Sequence, residues 1–180
     1  MDLSEFADAV ESAFGPLLQG YGFSLQSRQV ERCFCTVTYV NEPRYVQIKA
    51  NMHPVDHPSY FNVVLGEGKT ESPEGDWNAV ALWHMKKLVS PSEQAGSYYF
   101  SDIDDDPFIE DEELVIRSCA DLEKFHGGFL TNDLKLFRQV RVQQNRDREP
   151  YKIYTPDSTG RYTVADDTES ADLKNRFSTE

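Results

Sequence analysis

The opening segment places Leu3, Phe6, Val10, Phe14, Leu17 and Tyr21 at steps of three and four, with Ala7, Ala13 and Leu18 beside them and Asp2, Glu5, Asp8 and Glu11 off the stripe. This spacing predicts an amphipathic helix, because a helical turn gathers such positions on one face. Its acids crowd the first turns, where they complement the positive end of the helix dipole, and Gly20 and Gly22 offer a stop.

Three runs rich in β-branched and aromatic residues follow, Arg32 to Val40, Tyr45 to Ala50 and Tyr60 to Leu65, and Phe23 to Gln29 reads as an earlier strand. Asn41-Glu42-Pro43-Arg44 has turn chemistry, so the first two runs are expected to form an antiparallel hairpin. Short connections favour a meander over crossovers. His53 to Pro58 reads as a stiff loop, and Gly66-Glu67-Gly68 ends the third run.

From Asp76, taken as an N-cap, Trp77, Val80, Ala81, His84, Met85 and Leu88 follow helical spacing, although Ala79 to Leu82 also reads as strand. Tyr98 to Phe100 is a short strand candidate. A helix is expected from Glu110 to His126, carrying Val115, Cys119, Leu122 and Phe125 and broken by Gly127-Gly128. Thr131 is expected to cap a last helix with Leu134, Phe137 and Arg141 on one side, closed by Pro150. Tyr151 to Thr155 and Arg161 to Val164, joined through Pro156 to Gly160, read as a small hairpin. The pattern thus predicts an α+β fold: an N-terminal helix packed on an antiparallel meander of three to five strands, then two or three helices and a C-terminal hairpin. Residues 1–165 read as one domain, and 166–180 as a polar, frayed tail.

Composition fits this picture. With 180 residues, 39% of them hydrophobic, the chain is long enough to bury a core without metals or disulfides. Charge adds exclusions: 31 acids against 18 bases give −13, which repels phosphate backbones and anionic lipid, so neither a nucleic acid nor a membrane is expected as partner. No run approaches the roughly 20 apolar residues of a membrane span, and the acidic start is unlike a signal peptide, so the expected location is cytoplasmic. Cys33 and Cys35 stand too close along a strand to bridge comfortably; with Cys119 they read as reduced core residues.

The charges are also segregated. Asp102, Asp104, Asp105, Asp106, Glu110, Asp111, Glu112 and Glu113 form a run of eight acids with no base, whereas Lys135, Arg138, Arg141, Arg146, Arg148 and Lys152 are opposed locally only by Asp147 and Glu149. Two such patches either pair within the molecule, serve separate partners, or meet head to tail in another copy.

Catalytic and metal motifs fare less well. Counted from Asp102, the acidic run has the ligand spacing of a twelve-residue calcium loop, but Pro107 stands where the loop needs glycine, and Tyr98-Tyr99-Phe100 replaces the flanking helix. Asp102-Ile103-Asp104 resembles the metal-holding acid pair of nucleotide-sugar transferases, yet the chain lacks the strand and helix alternation of their parallel sheet. His53 and His57 flank Pro54 and precede Pro58, which removes the helical geometry that would make a spacing of four meaningful for zinc. His84 reads as structural on an apolar helix side, and His126 as a positive ring suiting a helix end. Gly66 to Thr70 imitates the end of a phosphate loop but reads better as a hairpin turn. No nucleophile, base and oxyanion donor come together, so neither catalytic residues nor a cofactor are expected.

Phe14-Gly15-Pro16-Leu17-Leu18 with Tyr21-Gly22-Phe23, then Val37-Thr38-Tyr39, Val63-Val64-Leu65-Gly66 and Phe129 to Leu134 with Phe137, resemble a loose family of small bacterial α+β proteins, some placed among immunity proteins of contact-dependent or polymorphic toxin systems. The resemblance implies a helix on an antiparallel meander and a non-enzymatic binding role. Its matching positions are packing positions, so it carries no site residue across. The expectation is an acidic protein-binding protein that uses the eight carboxylates from Asp102 to Glu113 against another protein, in the most concrete version a basic toxin. The alternatives are a metal-dependent enzyme or regulator using the same carboxylates, and an assembly component whose Lys135 to Lys152 segment docks on another copy's acidic run.

Overall fold

The computed structural model describes residues 1–53, 60–71, 73–92, 96, 98, 99 and 111–179. Helix α1 spans Leu3–Gly20. The Asp2 carboxylate accepts the N–H groups of Ser4 and Glu5, both at 2.8 Å, and Glu5 accepts the Asp2 N–H in return. This reciprocal cap satisfies donors that the first helical turn leaves orphaned. Phe6, Val10, Phe14 and Leu18 are fully buried, each contributing on the order of 1.5–3 kcal/mol of transfer free energy.

Strands β1 (Ser24–Val30), β2 (Phe34–Asn41), β3 (Arg44–Asn51), β4 (Tyr60–Glu67) and β5 (Ala79–Ala81) form an antiparallel meander in sequence order. Tyr98–Tyr99, strand β6, pairs with the start of β4. The register lines up Cys35, Ala50 and Phe61; Val37, Ile48 and Val63; and Tyr39, Val46 and Leu65. All nine are buried. Side chains alternate along a strand, so these three rows share one sheet face, and α1 packs against it. The other face of β3 is also covered at Tyr45, whose ring lies over Gly66 directly across the ladder. A Cβ at Gly66 would meet that ring at 1.9 Å, so only glycine fits.

After β4 come α2 (Glu74–Trp77), α3 (Leu82–Val89), α4 (Asp111–Leu130), α5 (Lys135–Asp147), the hairpin β7 (Lys152–Pro156) with β8 (Tyr162–Asp166), and α6 (Thr168–Phe177). Met1 meets Asp111, and Ala13 accepts the Cys119 thiol at 3.3 Å, so α1 and α4 run parallel with their N-termini at the same end. Val115, Leu122, Phe129 and Leu130 of α4, with Phe137 and Val140 of α5, complete the core over α1 and the sheet.

Four local expectations are corrected. Asp76 does not open a helix; it lies within the single turn α2, Ala79–Ala81 becomes β5 by pairing with β4, and the helix starts at Leu82. The break expected at Gly127-Gly128 falls one residue earlier, at His126 (φ −135°, ψ 20°), and a further helical turn runs on to Leu130. Thr131 does not cap α5: its hydroxyl donates back to the carbonyls of Gly127 and Gly128 and so closes α4. The segment 166–180, expected to fray, instead holds α6. Asp167 accepts the Glu169 and Ser170 N–H groups as its N-cap, and Phe177 and Ser170 are buried. The cap, the burial of Phe177 and Ser170, and the bonds from Asn145 to the Phe177 carbonyl and from the Tyr151 N–H to Ser170 tie down a segment whose composition is polar. Among the described residues, no helix is long and apolar enough to cross a membrane.

Candidate functional site

Asp102, Asp104, Asp105, Asp106 and Glu110 lie outside the described residues, as do the calcium-loop and Asp102-Ile103-Asp104 readings built on them. Of the eight acids, the structure places Asp111, Glu112 and Glu113, in the first turn of α4. Asp111 reaches the Met1 ammonium at 3.2 Å. Glu112 and Glu113 are exposed. Because α1 runs parallel to α4, the acids of the first α1 turns stand at the same end, so two positive helix termini and their compensating carboxylates share one pole. Arg28 of β1 neutralises part of it: Nη1 lies 2.6 Å from Asp8 and 3.0 Å from Glu11, and Nη2 donates to the Ser4 carbonyl.

At the other end of α4, roughly 30 Å away by helical rise, lies a groove of opposite character. It is an open trough of about 970 Å³ between α5 and α6 on one side and the end of β4 with α2 on the other. Four cations line it, Lys135, Arg138 and Arg141 from α5 and Arg176 from α6, against two acids, Glu67 and Glu74. Two of the cations are built in. Arg138 binds Glu67 through Nε (3.1 Å) and Nη2, a bidentate fork. Arg141 is buried, its Nη1 bonds Asn78 Oδ1 at 2.6 Å and Glu67 Oε2 at 3.2 Å, and its guanidinium lies 5.6 and 5.1 Å from the rings of Phe137 and Phe177. Burial alone would raise the Glu67 carboxyl, but the bonds and charges of Arg138 and Arg141 outweigh it and hold Glu67 below its usual range. Arg176 stands 3.9 Å from Glu74 and is largely exposed.

Four of the six bases of the run, Arg138, Arg141, Arg148 and Lys152, therefore find partners inside the molecule. Besides the Glu67 pairs, Arg148 stacks over Trp77 at 4.2 Å and donates to the Asp76 carbonyl, and Lys152 pairs with Asp166 and Glu149. Glu67, Asn78 and Arg176 were not legible as a site from sequence: the first lay in an apparent turn, and the last in an apparent tail.

The remaining chemistry-bearing side chains are dispersed. His57 lies outside the described residues; the ring of His53 stacks against Phe34 at 6.5 Å. His84 is lowered by burial, which outweighs its bond to Gln144. His126, expected as a positive ring at a helix end, is instead 2% exposed with neither ring nitrogen hydrogen-bonded, and desolvation pulls it down to about 4. It is neutral at pH 7. Cys35 and Cys119 are buried free thiols, the latter pushed up to about 11 by burial and then by Glu123, which dulls its nucleophilicity; Cys33 precedes β2 and is half-buried. A buried cluster joins Lys86 Nζ and the Tyr98 hydroxyl to one oxygen of Asp121, at 3.0 and 2.8 Å. Among the described residues, no group of three His, Cys, Asp or Glu side chains is placed to hold a metal.

No family model, curated protein or solved structure gives a significant match to the chain.

Proposed function

We propose that this chain is a non-enzymatic, cytoplasmic protein-binding protein that uses its acidic pole against a partner of opposite charge, in the most concrete version a basic toxin that it neutralises. The observation that carries this reading is the shared end of α1 and α4: Glu112 and Glu113 stand exposed beside the acids of α1, and the run from Asp102 to Glu110 leads into that same turn. A carboxylate-rich pole on a chain of net charge −13 steers a basic protein into encounter, and it competes for the positive groove with which a nucleic-acid-cleaving toxin grips phosphate. The resemblance of its packing motifs to a loose family of small bacterial α+β proteins, some of them placed among immunity proteins of toxin systems, supports the same reading.

Capture from the source cell at low and high salt tests it. A basic protein should be retained at low salt, released at high salt, and lost when Asp104, Asp105 and Asp106 become Asn and Glu112 and Glu113 become Gln. Recovering no basic protein at either salt overturns the proposal, as does capture that ignores these substitutions.

A further inference from the structure

The trough between the α5 and α6 side and the end of β4 with α2 carries a charge that runs against that of the chain. Four cations face two acids there, an excess of two positive charges on a molecule of net charge −13. At physiological ionic strength the distant acids are screened beyond about 8 Å, so a ligand in the trough responds chiefly to the local excess. Arg138 and Arg141 are fixed by Glu67, Asn78 and the flanking rings, which removes the entropy a ligand would otherwise have to freeze. Lys135 of α5 and Arg176 of α6 stand exposed at the rim.

The form of the trough selects among anions. A phosphate cradle uses converging backbone N–H groups, but the N–H of Gly68 is taken by the Pro43 carbonyl at 2.6 Å. Besides the cations, Pro43, Leu134 and Phe177 line the trough, together with the polar Asn78, Asn132 and Thr179. Guanidinium and ammonium groups in one trough with apolar side chains match an extended peptide that carries both carboxylates and apolar side chains. The local excess of cations is complementary to the carboxylates of such a segment.

We infer that the trough is a docking site for a segment of another protein that carries both carboxylates and apolar side chains, held by Lys135 and Arg176 at its rim. The site lies at the opposite end of α4 from the acidic pole, and it stands or falls separately from the proposal above.

The test uses the whole chain with a short fluorescein-labelled peptide of alternating Glu and Leu, its Gln and Leu counterpart, and inorganic triphosphate as probes, read by fluorescence anisotropy and competition. The Glu peptide should saturate in the micromolar range and weaken with salt, and the Gln peptide should not bind. Lys135→Ala and Arg176→Ala, both at exposed positions, should each weaken binding about 3- to 10-fold, and Glu74→Gln should strengthen it about 3-fold. Circular dichroism confirms that each variant is folded. No saturation by the Glu peptide, equal binding of the Gln peptide, or indifference to Lys135 and Arg176 overturns the site. Triphosphate binding tighter than the peptide overturns the ligand class. Self-association in sedimentation that is lost in Arg176→Ala makes the occupant a second copy and overturns the foreign partner.

Discussion

Nη1 of Arg44 donates to the carbonyl of Leu130 at 2.8 Å, and to that of Phe129 at 2.6 Å, so a cation from the second hairpin strand closes the carboxyl end of the long helix packed on the sheet. The last carbonyls of a helix lack intrahelical donors and carry its negative dipole end. Here they are met by a guanidinium that is 6% exposed and lies over the ring of Phe23 at 5.1 Å. Arg44 shares its strand face with Val46, Ile48 and Ala50, which points it under α4 rather than away from it. Arg44→Met should therefore destabilise the fold by about 3 kcal/mol in urea denaturation, because two buried carbonyls lose a charged donor. Arg44→Lys should recover part of the loss, and native-state hydrogen exchange should show the last turn of α4 loosening first.

Gly66 and Tyr45 face each other in the β3–β4 ladder, with no room for a methyl group between them. Gly66→Ala should cost about 2–4 kcal/mol, since the ring that must move is buried and its hydroxyl donates to the Gly75 carbonyl. Combining it with Tyr45→Ala should cost clearly less than the sum of the two single changes. Additive losses in thermal denaturation would show that the clash is relieved elsewhere.

His126 sets a pH dependence. Its folded value of about 4 lies below the ordinary unfolded value of about 6.5, so the unfolded chain binds the extra proton between them. Stability is then complete above pH 6.5, and about 3 kcal/mol is lost as pH falls through that window towards 4. His126→Leu should flatten this part of the curve and be neutral or stabilising at pH 7, where the neutral ring has no hydrogen-bond partner. Urea midpoints measured at successive pH values check both statements.

The Lys86 and Asp121 pair is 5% and 8% exposed, and Tyr98 donates to the same carboxylate oxygen. Asp121→Leu alone should destabilise the fold by about 1–3 kcal/mol, because Lys86 and the Tyr98 hydroxyl both lose the carboxylate that they share. Adding Lys86→Met should restore much of that loss. A double variant as unstable as the single one would mean that the charge itself is not the burden.

Tyr154 and Tyr162, on the β7–β8 hairpin, are 62% and 67% exposed, and every residue of both strands is exposed. Changing both to Ser should move stability by no more than about 0.5 kcal/mol, as expected for surface positions. The anchoring of the arm lies at its base instead, where the Tyr151 hydroxyl donates to Asp76 at 2.9 Å and Asp167 N–H donates to the Tyr151 carbonyl. Tyr151→Ala should accordingly cost more than the two tip changes together in the same thermal melt.

The sequence by itself determined the α1 stripe, the meander and the terminal hairpin, because each rests on a local periodicity or a turn whose physics needs no distant partner. It also marked Lys135, Arg138 and Arg141 as a basic run, but not the trough they line. Only the tertiary structure decided that Ala79–Ala81 is a strand, since its pairing partner lies on β4, and that the polar tail is a helix, since Phe177 finds a pocket beside Arg141. It likewise decided the charge of His126, which depends on what surrounds a ring and not on its position along a helix. The trough joins Glu67, Asn78, Arg141 and Arg176, residues far apart along the chain, and no short-range pattern records a contact of that separation.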